Sequence, residues 1–223
     1  AERGQSLVAG MEALRLTLIT PVMARIAVLN GCLSAVILGL YSQVYAADPG
    51  EITVQDFVID DRRQADLSST TGKRWRLVSD QVMGGVSRGT LKSETIQGRA
   101  CLHMQGLVST KNSGGFIQIA LDYEPEGAVK AAGYSGLKLD VLGNGEQYSV
   151  HLRTRGLSLP WQSYRASFQA ETEWRTITLP FSTFRPYKTS QAFKANKLKR
   201  IGLVAIGRDF EADVCLASIG LYR

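Results

Sequence analysis

Few residues in this chain are placed to do chemistry. His103 and His151 are its 2 histidines. Neither lies beside a Gly-x-Ser-x-Gly string, so an activated serine nucleophile has no support. Asp80, Asp122, Asp140 and Glu146 would serve as acid and base on a glycosidic bond if two of them faced each other about 5 to 10 Å apart. A chain with 20 acidic residues always offers such pairs, so the carboxylates alone argue for nothing. Its 3 cysteines show no Cys-x-x-Cys, and no His-x-x-x-His accompanies them, so no zinc site is offered. The most distinctive string runs Asp80-Gln81-Val82-Met83-Gly84-Gly85-Val86-Ser87-Arg88-Gly89. Its paired glycines mark a bulge or a close backbone approach, and Ser87 with Arg88 either binds an anion or caps a turn. No Gly-Lys-Ser/Thr ending follows it, and Gly143-Asn144-Gly145 lacks the third glycine of a dinucleotide loop. The expectation is a non-enzymatic domain with no cofactor and no metal.

The elements that position these residues are strands. In Leu137-Lys138-Leu139-Asp140-Val141 the apolar side chains point one way and Lys138 and Asp140 the other. The same period of two recurs in Gly115 to Leu121, Tyr148 to Arg153 and Tyr164 to Gln169, with two more strands over Leu198 to Ile206 and Val214 to Leu221. Gly143-Asn144-Gly145, between two alternating runs, predicts a hairpin. About nine to eleven strands, with no long amphipathic helix between them, define an all-β sandwich of the jelly-roll kind. If the apolar alternates face the core, one sheet turns Lys138, Asp140, His151, Arg153, Arg165, Ser167 and Gln169 outward, with Trp161 in the loop before. Such a face supplies bidentate donors for hydroxyls or carboxylates and a flat ring for stacking, as a sugar or peptide groove requires; a merely solvated sheet face has the same pattern.

Composition and charge bound the rest. The 223 residues are 44% hydrophobic and 21% charged, the make-up of an ordinary folded domain, and not of a disordered or collagen-like chain. The net charge of +6 is spread along the chain without a polybasic tail, so no nucleic-acid partner is expected. From Met23 the chain runs through Arg25 into an apolar stretch, Ile26 to Tyr41, and then to Val44-Tyr45-Ala46. That is the layout of a signal peptide over residues 23–47, cut near Ala46. Residues 1–22 are an upstream extension and 48–223 a single domain, exported to the periplasm or beyond. An uncleaved membrane anchor is the alternative, and the membrane would then be met only through this segment. Cys101 and Cys215 fall in predicted strands; in an oxidising compartment they would form a disulfide, and otherwise they fill the core as two small thiols.

The Asp80 to Gly89 string resembles that of the complex I intermediate-associated protein 30 family. The resemblance continues through Trp75, through Ser113-Gly114-Gly115-Phe116, through Tyr134-Ser135-Gly136-Leu137, and through Gly143-Asn144-Gly145 with Tyr148 and Leu152-Arg153-Thr154. It runs on through Tyr164, Phe168, Trp174 and Leu179-Pro180-Phe181-Ser182. It implies a galactose-binding-like jelly roll without catalysis. It also implies a chaperone-like role in assembling a membrane or respiratory complex such as NADH:ubiquinone oxidoreductase, with a protein client or assembly intermediate as partner. A secreted carbohydrate-binding module is the alternative. The candidate binding and family-motif residues are Trp75, Asp80, Met83, Gly84, Gly85, Ser87, Gly114, Gly115, Phe116, Tyr148, His151, Arg153, Trp161, Tyr164 and Arg165.

Overall fold

The computed structural model describes residues 55–123 and 131–223. The expected signal segment 23–47 and the extension 1–22 lie outside the described residues. In chain order the strands are β1 (Phe57–Asp60), β2 (Arg76–Ser79), β3 (Arg88–Ile96), β4 (Arg99–Val108), β5 (Phe116–Asp122), β6 (Gly136–Gly143), β7 (Gln147–Thr154), β8 (Ser163–Gln169), β9 (Arg175–Pro180), β10 (Arg185–Tyr187), β11 (Leu198–Ile206) and β12 (Phe210–Tyr222). Helical structure among the described residues is confined to four short 3-10 turns. None of it is long and apolar enough to cross a membrane.

The strands form two antiparallel sheets of six. The first runs β3-β4-β12-β6-β9, with β1 also on β12; the second runs β10-β8-β7-β11-β5-β2. This is the jelly-roll sandwich that the alternation predicts. Apolar alternates meet between the sheets: Leu102, Met104, Leu137, Leu139 and Val214 from the first, Ile119, Leu121, Val150, Leu152 and Leu203 from the second. Each of these side chains stabilises the fold by about 1.5–3 kcal/mol on burial.

Two connections differ from the sequence expectation. Gly143-Asn144-Gly145 is not a hairpin, because β6 pairs with β12 and β9 while β7 pairs with β11 and β8. It is a corner between the sheets. Gly143 N–H donates to the Glu171 carbonyl (2.7 Å) and Gly145 N–H to that of Ala170 (2.8 Å). A Cβ on Gly143 would lie 2.5 Å from the Ala170 Cβ, so the corner closes against the neighbouring loop only because that atom is missing. The turn between β11 and β12 likewise crosses between sheets. A two-residue hairpin does occur at Gln97-Gly98, between β3 and β4, where both residues have positive φ (46° and 77°), the backbone of a type I′ turn.

On the outer side of the first sheet lies a small second cluster. Cys101, Leu142 and Cys215 are buried there beneath Ile96, Trp174 and Ala217. Cys101 on β4 and Cys215 on β12 lie diagonally across the pairing, Cys215 standing opposite His103, with Cα atoms 5.5 Å apart, and their sulfurs are joined. The Arg99 guanidinium covers Trp174 at 5.4 Å.

Candidate functional site

The signature string builds a frame. Asp80 is fully buried, and its carboxylate accepts from Ser87 N–H (2.9 Å), Gly115 N–H (2.5 Å), Phe116 N–H (3.2 Å) and the Ser87 hydroxyl. One side chain thus ties the turn after β2 to the loop before β5. Burial works to raise the Asp80 pKa, but the hydrogen bonds from Gly115, Ser87 and Phe116 outweigh it and hold the carboxyl below its usual range. The glycines are explained by the same carboxylate. A Cβ on Gly85 would lie 2.3 Å from Asp80 Cγ, and one on Gly114 2.5 Å from Asp80 Oδ2. Gly115 has a positive φ of 124°, and Gly84 ends the 3-10 turn with φ 85°. Just before Gly84, Val82 and Met83 project into solvent.

Three other motif residues are also internal. Trp75 is buried and donates from Nε1 to Asp60 Oδ2 (2.7 Å); Asp60 in turn holds Arg62 in a buried ion pair at 2.9 Å. The Arg62 guanidinium then donates to the carbonyls of Gln64, Asp66 and Ser68, which organises the loop leading to Trp75. Tyr148 is buried at the sheet corner. Its hydroxyl donates toward Asn144 Oδ1 (2.8 Å) and accepts from Asp213 N–H (2.8 Å), and burial pushes its pKa up. Tyr164 packs edge-on against Phe193, with ring centroids 5.1 Å apart. The half-buried Phe116 opens β5 on the outer side of the second sheet.

The remaining candidates converge on that outer face. The pairing registers place Arg76, Ala120, Gly202, His151, Arg165 and Arg185 in one row across all six strands. A neighbouring row aligns Asp122, Arg200 and Arg153. Ala120 and Gly202 are buried and small, so they form a floor between longer charged side chains. Asp122 Oδ2 accepts from Arg76 Nη1 (2.7 Å) and Oδ1 from Arg200 Nε (2.6 Å). Desolvation works against it, but the two guanidinium groups lower the Asp122 pKa to about 2. Arg153 turns outward to the loop, donating to the carbonyls of Pro160 (2.8 Å) and Leu159 (3.0 Å) and so fixing the segment that presents Trp161. Arg165 Nε donates to Ser163 Oγ (3.0 Å), and its guanidinium stacks on Tyr187 at 3.4 Å from the ring centroid. Beside it His151 has a buried Nε2 with no hydrogen-bond partner, and desolvation, with the Arg165 charge adding to it, lowers its pKa to about 3. The ring is neutral at physiological pH. Leu159, Trp161 and Tyr187 stand exposed along this edge, Trp161 at 48%.

Sequence parity places His151, Arg153, Arg165, Ser167 and Gln169 on one sheet face, as the pairing does, with Trp161 in the loop between β7 and β8, but it misassigns two residues. Lys138 and Asp140 lie on β6 of the other sheet, where Asp140 accepts from Thr176 Oγ1 (2.5 Å) and Ser218 Oγ (2.8 Å). Alternation fixes which way a side chain points relative to the core and is silent about which sheet it leaves. Arg76, Asp122, Arg200 and Tyr187 join the face unforeseen; the outward parity of Asp122 and Arg200 in their own strands was the available signal. The four carboxylates considered for hydrolysis do not meet. Asp80 binds backbone, Asp122 and Glu146 bind arginines, and Asp140 binds hydroxyls. No cluster of three or more His, Cys, Asp or Glu able to hold a metal occurs among the described residues.

Such a sandwich, with a rigid signature loop at one end of a sheet and an arginine and aromatic face along it, defines a jelly-roll β-sandwich domain. The chain matches complex I intermediate-associated protein 30 over residues 64–215, and it is a member of that family. No curated protein matches it. Among solved structures it is similar to the family 11 carbohydrate-binding module of a cellulosomal cellulase of Clostridium thermocellum, at 13% identity and TM-score 0.58, over 76% of this chain and 95% of that one. It is also similar to the family 30 carbohydrate-binding module of a cellulosomal cellulase of the same organism, at 13% identity and TM-score 0.51, over 75% and 97% of the two chains. At these identities the likeness is one of fold.

Proposed function

We propose that this chain is a non-enzymatic binding domain with an assembly-factor role in the biogenesis of a membrane or respiratory complex, and that it takes its protein client across the outer face of the second sheet. The observation that carries the reading is that face itself: Arg153 and Arg165 meet no carboxylate among the described residues, and Leu159, Trp161 and Tyr187 stand exposed at its edge. Arginine and exposed aromatics are the side chains that anchor protein interfaces. Membership of the complex I intermediate-associated protein 30 family supports the assembly role. Export after cleavage near Ala46 is part of the proposal, and the Cys101–Cys215 link fits an oxidising compartment.

The test is affinity purification of the tagged protein from its native envelope fraction, with mass spectrometry of what it retains. Repeated recovery of one membrane-complex subunit, reduced at least fivefold by Trp161→Ala, is the expected result. Equal recovery with Trp161→Ala would overturn the assignment of the face. A carbohydrate-binding role is the second reading, favoured by the exposed Trp161 ring beside guanidinium donors. It predicts retention on a polysaccharide column that Trp161→Ala abolishes, with no protein recovered.

A further inference from the structure

The arginine face is electrostatically incomplete. Arg76, Arg153, Arg165, Arg185 and Arg200 share it, and Asp122, which engages Arg76 and Arg200, is the one carboxylate in the two rows that hold them. Arg153 and Arg165 use carbonyls, a hydroxyl and a ring in place of a carboxylate. Desolvation, and after it the charge of Arg200, works against the charged form of Arg153, so these like charges are crowded together. Next to Arg165 the buried His151 Nε2 has an unused hydrogen-bonding position. Successive strands lie about 4.8 Å apart, so a ligand crossing β11 and β7 would meet Arg200 and Arg153 at about that interval, with Arg165 on β8 in the neighbouring row.

Further along the same strands the face changes character. Val78, Phe116 and Ile206 are half-buried there with Val204 buried between them, and Gln118, Ser167 and Gln169 stand in the same rows. A uniformly acidic glycan would find partners at the arginines and hydrogen bonds at Gln118, Ser167 and Gln169, but nothing in it would cover the apolar Phe116, Ile206 and Val78. A polypeptide segment that mixes acidic and apolar side chains matches both halves, through bidentate guanidinium–carboxylate pairs at one and apolar burial at the other.

We infer that the segment of the client seated on this face is an acidic and apolar stretch of polypeptide, its carboxylates held by Arg153, Arg165 and Arg200 and its apolar side chains by Val78, Phe116 and Ile206. The inference rests on the proposal that this face is the binding surface. The probe is a fluorescently labelled eight-residue peptide alternating Glu and Leu, titrated against the purified protein and followed by anisotropy. Its Gln and Leu counterpart and an oligomer of galacturonate serve as competitors. The expected result is saturable binding that weakens severalfold when salt is raised to the point where exposed charges are screened. Arg165→Gln should weaken it at least tenfold, while Lys92→Gln on the other sheet should leave it unchanged, both variants melting within a few degrees of the parent. Equal affinity for the Gln and Leu peptide, insensitivity to Arg165→Gln, preference for the galacturonate oligomer, or no binding would each overturn the acidic-peptide assignment. If the client is still captured in a Trp161-dependent way while the peptide fails, the face stands and its ligand class falls; if Trp161→Ala leaves capture unchanged, the face itself falls.

Discussion

Replacing Asp80 with alanine should cost more stability than any single substitution on the arginine face. Three backbone donors, Ser87 N–H, Gly115 N–H and Phe116 N–H, point at this carboxylate, and the first two are fully buried. Stranding a buried donor costs about 1–3 kcal/mol. Relief of the cost of burying a charge offsets part of the sum, which leaves an expected loss of about 3–5 kcal/mol, a large share of the ~5–15 kcal/mol that holds an ordinary domain together. Asp80→Asn keeps one acceptor oxygen and should cost less, about 1–3 kcal/mol. Urea unfolding followed by tryptophan fluorescence gives both values, the buried Trp75 meeting water on unfolding. The pH dependence supplies an independent reading. The folded carboxyl is held below its usual range, so its stabilisation is complete above the ordinary carboxylate pKa near 4 and disappears as pH falls through the lower folded value. Asp80→Asn should therefore flatten the acid limb of the stability profile. A loss under about 1 kcal/mol for Asp80→Ala, with an unchanged acid limb, would refute the view that the signature string is a frame organised by one carboxylate.

Gly114→Ala should destabilise the fold by an amount comparable to Asp80→Asn, since its Cβ would lie 2.5 Å from Asp80 Oδ2; a melting temperature within a degree or two of the parent would contradict this. Cys101→Ser with Cys215→Ser removes a link spanning 114 residues and should lower stability by about 2–5 kcal/mol, read from the urea midpoint. His151 is neutral in the folded protein down to about pH 3 yet takes up a proton near pH 6.5 when unfolded, so it subtracts stability as pH falls from about 6.5 toward 3. Comparison of urea midpoints at pH 7 and pH 5 should show a smaller drop for His151→Gln than for the parent, and identical drops would refute it. Trp161→Ala should leave the melting temperature within a few degrees of the parent, because the ring is 48% exposed.

The all-β class was legible because period-two alternation is a local property, written in runs such as Leu137 to Val141. Strand partners were not, because pairing is set by contacts between distant segments: Arg76 meets Asp122 across 46 positions, and Arg200 meets it across 78. The same limit explains the corner at Gly143-Asn144-Gly145. Its glycines announce a reversal of direction, but a hairpin and a crossing between sheets demand the same backbone freedom, and only Glu171 and Ala170, contributed from after β8, decide between them. Of the face, the part carried on the hairpin of β7 and β8 was readable, because His151 and Arg165 are neighbours on strands adjacent in sequence as well as in space. The other half needed β11, β5 and β2.

That division has a consequence for what family membership can establish. The residues by which the chain is recognised, Trp75, Asp80, Gly85, Ser87, Gly114 and Tyr148, spend their hydrogen bonds and their close contacts on one another, on backbone and on neighbouring loops. They specify a sandwich whose second sheet is held rigid at the end where β5 begins. On the proposed face His151, Trp161, Arg165 and Arg200 lie away from that frame, whereas Arg153 and Phe116 belong to both the motifs and the face. A chain could keep the signature while trading Arg165 for serine and Trp161 for lysine, and it would fold alike and bind something else. On the proposed reading the ligand is to be sought at these arginines, and the substitution that tests any assignment is one that spares the frame.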